Sequence, residues 1–172
     1  ATPIVAELLA ACPRLTVLAT SRERLNLRGE RELPVPPLPL PEAASLSEEV
    51  DLSQGGAALV ERVSESAAVQ LFLDRATATR PSFALTAENA AAVAEICRRL
   101  DGLPLAIELA AARVRHAPPG NLLARLDRRL PVLTGGPRDQ PPRLQSMHDA
   151  IAWSHDLLSA EVRVVFRRLA VF

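Results

Sequence analysis

The sequence contains no lysine; all 20 of its basic residues are arginine. A phosphate-binding loop of the G-x-x-x-x-G-K-[ST] type needs its Lys, so the chain holds no complete nucleotide site of that kind. Lysine-based Schiff chemistry is excluded with it. Cysteine is scarce: Cys12 and Cys97 stand far apart among apolar neighbours. Two buried free thiols in a reducing compartment are expected, and no Cys/His pairing has the spacing of a zinc site. Charge of one sign is also missing, because 20 acidic residues balance the basic ones; nothing in the balance demands nucleic acid or an anionic membrane. No signal peptide opens the chain and no apolar run approaches the roughly 18 residues of a membrane span. A cytoplasmic protein without a membrane partner is therefore expected.

What is present begins with Leu15-Thr16-Val17-Leu18-Ala19-Thr20-Ser21-Arg22. Leu15 to Ala19 is a short apolar run of the kind that suits a strand buried on both faces. Arg22 follows where that strand would emerge, and in open α/β sheets ligands bind at the carboxyl ends of strands. A guanidinium there matches phosphate oxygens; an Arg that only solvates the strand end is the plain alternative. A helix over Ile4 to Ala11, with Pro3 in its first turn, feeds this strand and implies half of a parallel crossover unit.

Glu23 to Asn26 suggests one helical turn and Arg31 to Val35 a short strand. Five of the residues from Pro34 to Pro41 are proline, which rules out a regular helix or central strand and predicts an extended connector. Residues 42–63 are rich in Ala, Ser, Glu and Gly, and 43–58 read as a flexible insertion. Helical periodicity then sets in. Ser64 or Ser66 caps a helix to about Ala78 with a stripe of Val69, Phe72, Leu73 and Ala76. Thr86 caps the next, with Ala90, Val93, Ala94, Cys97 and Leu100 on one face. Asp101-Gly102 turns the chain, and Pro104 opens a helix to about Val114 that is apolar on most sides except at Glu108, so it should lie centrally in a bundle. A short helix, Asn121 to Leu130, follows. Pro131 to Pro142 reads as a Gly/Pro-rich linker at a domain boundary. Met147, Ala150, Ile151 and Leu158 then share one helical face, and Ser159 caps a last helix bearing Val162, Val165, Phe166 and Leu169. The start at Ala1 and the apolar end at Phe172 suggest a piece of a longer chain.

Three segments, LTVLATSRERL (15–25), DGLPLA (101–106) and IAWSHDLLSAEVRVVFRRLAVF (151–172), with AVQLF (68–72) between them, occur in this order and spacing in one family. The chain resembles the NB-ARC/STAND-type P-loop ATPase core of AfsR-like and LuxR-type bacterial transcriptional regulators. The resemblance implies a mostly α chain: the tail of an α/β P-loop NTPase domain (1–41), an insertion (42–63), a small helical lid domain (64–130), a linker (131–143) and the start of a winged-helix domain (144–172). It implies ATP or ADP as ligand, with Mg²⁺ and the phosphates held by a P-loop segment outside this chain. Arg22, beside Ser21, matches the sensor Arg that meets the terminal phosphate. Pro104, with Gly102 and Leu103 of the GLPL motif, matches the proline near the adenine that helps bind ADP. It further implies a nucleotide-dependent switch, an oligomerising ATP state, DNA contact only through domains outside this chain, and slow ATP hydrolysis by the whole protein but not by this part alone.

Other residues invite functional readings that their positions weaken. Met147-His148-Asp149 spells the family's MHD motif, but the family places that motif at the end of the winged-helix domain, so His148 is expected to be an ordinary first-turn residue. Ser154-His155-Asp156 has the residue types of a hydrolase triad, yet adjacent helical residues point about 100° apart and cannot form a relay. Trp153 is expected to pack, His116 to meet a helix dipole, and Arg163, Arg167 and Arg168 to form a solvated face rather than a DNA contact. The rival to the switch is a non-catalytic helical interaction or DNA-binding module with no nucleotide role.

Overall fold

The computed structural model describes residues 2–21, 24–41, 55–126, 129–169 and 171. They fall into two compact units, Ala1–Pro36 and Pro37–Phe172.

In the first unit α1 (Thr2–Ala11) forms as its apolar spacing predicts and stops at Cys12-Pro13. The strand expected at Leu15 to Ala19 does not form, and the segment is not buried: Leu18 is 95% exposed. Apolar character specifies burial but supplies no neighbour, and a strand's N–H and C=O groups are satisfied only by an adjacent strand; no strand occurs among the described residues. For the same reason Arg31 to Val35 is not a strand, and Leu33 and Val35 are exposed. Nor do residues 24–26 make a helical turn; Glu23 lies outside the described residues. Asn26 instead takes the left-handed conformation, φ 54°. The Glu30 carboxylate accepts hydrogen bonds from the N–H groups of Leu25 (2.9 Å) and Leu27 (3.3 Å), closing the loop. Those bonds, the one from Leu25 foremost, lower the Glu30 pKa. Cys12 is exposed rather than buried.

The second unit begins with the proline segment, which is neither helix nor strand. α2 (Gly55–Ser64) occupies the end of the stretch expected to be a flexible insertion; residues 42–54 lie outside the described residues. α2 is held because Val63 is buried and Leu59, one turn earlier, packs on the core. Its Gly56 approaches the helix that begins at Ala87 so closely that an added Cβ would come within 2.8 Å of the Ala87 Cβ. α3 (Ala67–Thr79) and α4 (Ala87–Arg99) follow their predicted faces. Val69, Phe72 and Ala76 of α3, and Ala90, Val93, Ala94 and Cys97 of α4 with Leu100, are buried. Phe83, in the loop between them, meets the Phe72 ring edge-on at 6.2 Å. The side-chain carbonyl of Asn89 accepts the Thr86 N–H at 3.0 Å, fixing the start of α4.

α5 (Pro104–Ala112) lies at the centre and packs chiefly on α3, with Ala106, Ile107, Leu109, Ala110 and Ala111 buried. Glu108, its one charged residue, pairs with Arg75 of α3 at 3.0 Å. The predicted continuation to Val114 tightens into a 3₁₀ turn, Arg113–Arg115. α6 (Pro119–Arg125) closes the bundle with Leu122, and Leu126 just beyond it, buried; the short α7 (Arg129–Val132) follows. α8 (Met147–Asp156) and α9 (Ala160–Leu169) are a C-terminal helix pair joined by a short turn, and no residue of either is buried. His148 does lie in the first turn of α8. The Val162 N–H reaches the Ser159 hydroxyl at 3.4 Å, in keeping with the expected cap. Among the described residues no helix is long and apolar enough to cross a membrane.

The two thiols should behave oppositely. Burial pushes the Cys97 thiol up to about 12, away from the reactive thiolate. A thiol reagent at pH 8 is expected to label Cys12 in the native chain within minutes and Cys97 only on unfolding; rapid labelling of both would contradict this core.

Candidate functional site

The GLPL segment is built by a reversal of the chain. α4 ends at Arg99, Leu100 is buried, and Asp101 and Gly102 both take positive φ, 53° and 67°. Asp visits that region more readily than most residues, and Gly does so without penalty. Gly102 is required for a second reason. The proline segment crosses it, the Leu38 N–H donating to the Gly102 carbonyl at 3.0 Å. A Cβ on Gly102 would lie 2.3 Å from the Leu38 carbonyl oxygen.

The same segment completes α3. Ser66, at the N-cap of α3, does not cap it with its own side chain. Its hydroxyl donates to the Pro39 carbonyl at 2.8 Å, and the Ala68 N–H donates to that carbonyl at 3.3 Å. One carbonyl from the proline strap thus satisfies a first-turn donor that a helix leaves unpaired. Leu38 packs against the core and Pro41 is buried, so residues 37–41 belong to the bundle.

Past the turn, Leu103 and Pro104 are exposed at the start of α5, whose later residues are enclosed. Pro104 sits at the first position, where its missing N–H costs nothing. The arrangement presents an apolar ring and an apolar side chain beside the unpaired N–H groups of a helix N-terminus, a combination suited to a flat base carrying anionic groups. A hollow of about 250 Å³ flanks the far side of α5 at Arg75, Leu105 and Glu108, smaller than the roughly 300 Å³ at which ligand pockets begin.

Of the residues singled out from sequence, Gly102, Leu103 and Pro104 are contiguous in the second unit. Ser21 belongs to the first unit, where it lines an open hollow of about 830 Å³ with Val5, Leu9 and Thr16. Arg22 lies outside the described residues. Among the described residues no group of three or more His, Cys, Asp or Glu side chains could hold a metal ion. His155 stands edge-on to Phe166 at 5.5 Å and its Nδ1 lies 3.5 Å from the neighbouring Asp156 carboxylate. Trp153, 43% exposed, lies under the Arg143 guanidinium at 4.9 Å. At the start of α8 the Ser146 hydroxyl accepts the Asp149 N–H at 3.0 Å and donates to its carboxylate at 2.7 Å. That hydroxyl first, then His148, lowers the Asp149 pKa. Sequence reasoning missed Leu38 and Pro39, whose role is carried by backbone atoms and leaves no side-chain signature. It also missed Arg113, which holds residues 132–134.

The described residues thus define an α-helical bundle bound by a proline strap and followed by a pair of helices. Relatives give it a context. The chain is 44% identical over 169 residues to a Mycobacterium tuberculosis protein provisionally named HTH-type transcriptional regulator Rv0890c, and equally to Mb0914c of Mycobacterium bovis, which bears the same provisional name. It is 41% identical over 169 residues to the uncharacterized protein Rv0894 of M. tuberculosis. These alignments cover 98% of this chain, but only 16% of the two regulator-named relatives and 37% of the third. The chain is therefore related to proteins that carry a transcriptional-regulator name, and it spans a small part of their length. No family model matches it, and no solved structure does.

Two outcomes follow from this geometry. Gly102→Ala is expected to destabilise the second unit by about 2 kcal/mol or more, since it adds positive-φ strain to a clash with backbone. Urea denaturation measures this, and an unchanged midpoint would remove the strap contact. The Ser146–Asp149 bond should make the start of α8 sensitive to acid. The folded pKa is lowered, so the stabilisation is complete above the carboxyl's unfolded value and fades as pH falls through and below about 4. Protection factors of the α8 amides, corrected for the intrinsic pH dependence of exchange, should fall over that window, and Ser146→Ala should weaken the dependence.

Proposed function

We propose that this chain is part of a nucleotide-dependent switch in a transcriptional regulator, the C-terminal portion of an NB-ARC/STAND-type ATPase core. The observation that carries this reading is the presentation of Leu103 and Pro104: an exposed apolar pair on a left-handed turn, at the N-terminus of an otherwise enclosed helix. It coincides with the motif order and spacing of the sequence, and the regulator-named relatives support the regulatory context.

On this reading Pro104 and Leu103 lie against the adenine of ADP, and Gly102 acts indirectly by fixing the turn. Arg22, with Ser21 beside it, senses the terminal phosphate of ATP. The bound nucleotide supplies the charge difference that distinguishes the two states, and residues of an upstream P-loop segment hold its phosphates and Mg²⁺. ADP favours a closed arrangement; ATP shifts the population toward an open, oligomerising one. Met147 to Phe172 begins a winged helix, and DNA is bound by other domains of a cytoplasmic protein. The whole protein hydrolyses ATP slowly.

One observation favours the second reading, a helical module with no nucleotide role. The strap accounts for Gly102 without any ligand. A titration with fluorescent ADP and competing ATP separates the two, on a protein extended at its N-terminus to include the P-loop. Pro104→Leu is expected to weaken ADP roughly tenfold, the equivalent of about 1.4 kcal/mol. Arg22→Ala is expected to weaken ATP more than ADP. Affinities unchanged in both variants would leave the helical module.

A further inference from the structure

The C-terminal helix pair, α8 and α9, buries no side chain of its own; α8 meets the bundle at α5, and Met147 packs on the core. Between Leu126 and the end of α9, the described side chains that are buried are Leu133 and Ser146. Both sit at a neck. The Met147 N–H donates to the Leu133 carbonyl at 2.9 Å and the Gly136 N–H to the Gln145 carbonyl at 2.8 Å, so residues 137–144 form a loop closed at its base. The closure is tight: a Cβ on Gly136 would come within 2.9 Å of the Gln145 Cα. The direction in which α8 leaves is thereby set by residues 132–136.

Leu133 is buried in the core and Val132 packs on it; the side-chain hydrogen bonds to residues 132–134 come from one residue. Arg113, the C-cap of α5, donates from Nε to the Val132 carbonyl at 3.1 Å and from Nη2 to the Thr134 hydroxyl. Gly135 turns beside it at φ 76°, where a Cβ would lie 3.5 Å from Nη2. The guanidinium fastens the neck from outside the apolar core, so releasing it opens no cavity there. At its other end α5 begins at the Gly102 turn that the strap holds. Its 9 residues form a rod about 13 Å long, enclosed by close-packed neighbours that resist deformation.

We propose that Arg113 is a latch: it holds the C-terminal helix pair to the bundle, and its release frees the chain from the neck onward while the bundle stays folded. The proposal stands whether or not a nucleotide binds at Pro104. It gives α5 two functional ends, so that a displacement of its first turn reaches the guanidinium at its last. Segments held by few buried groups open at the low end of a protein's stability range, and two donors from one charged group are a suitable fastening: strong together and lost together.

Hydrogen exchange on the whole chain tests this. In Arg113→Ala the Gly136 and Met147 amides should exchange roughly ten- to a hundredfold faster, the equivalent of losing hydrogen bonds to a charged group. The Arg80 and Ile107 amides, of the α3 C-cap and α5, should stay within about twofold of wild type. Thr134→Val, which removes one acceptor and leaves α5 untouched, should accelerate the same neck amides severalfold; it decides the matter if Arg113→Ala fails to fold. Emission from Trp153, the sole tryptophan, should change in both variants as the helix pair loosens. Equal acceleration throughout the bundle would make Arg113 a general stability residue, and unchanged neck amides would remove the latch.

Discussion

A helix with almost no polar face must be surrounded, and the second unit is the solution to that requirement for Pro104–Ala112. Burying Ala106, Ile107, Leu109, Ala110 and Ala111 takes α3 above all, with the 3₁₀ turn Arg113–Arg115 and α8 also against it. It also takes two short pieces of irregular chain that close its ends. Irregular backbone can lie against a core only if its own polar groups are satisfied. The proline strap meets this condition through Gly102, Ser66 and Ala68, and residues 132–136 meet it through Arg113 and the neck. The bundle's polar accounting is complete in the same sense: among the described residues no buried side-chain nitrogen or oxygen lacks a partner.

What the sequence made legible is what periodicity records. α3, α4 and α5 were readable because their apolar residues recur at helical spacing and because Ser66, Thr86 and Pro104 mark their starts. The stripe of α3 is buried at Val69, Phe72 and Ala76. α2 was obscured, since Gly55-Gly56 and the surrounding Ala and Ser read as flexible when taken without the partner helix that makes Gly56 useful. The GLPL site was legible as a motif. Its physical basis was not, because the group that demands a glycine at 102 is a backbone oxygen sixty-four residues earlier.

The first unit shows the opposite limit. Leu15 to Ala19 has the composition of a buried strand and stands exposed without being one. Composition measures what a segment would gain from burial; a sheet additionally needs an adjacent edge, and no local pattern records whether one is near. Charge was equally silent about Arg113. In sequence it is one arginine of a balanced set, and only the fold brings it beside Val132 and Thr134.

The Pro39 carbonyl that caps α3 has a further consequence, one of evolutionary latitude. It fixes two points 27 residues apart, Pro39 and Ser66, so the ends of the intervening chain are pinned together. Lengthening a chain so pinned costs only the slow logarithmic growth of closure entropy, about 0.6 kcal/mol for each doubling. The stretch between Pro41 and Gly55 can therefore lengthen, shorten or change composition among related proteins at little cost in stability. The prolines on one side of it and α2 on the other cannot.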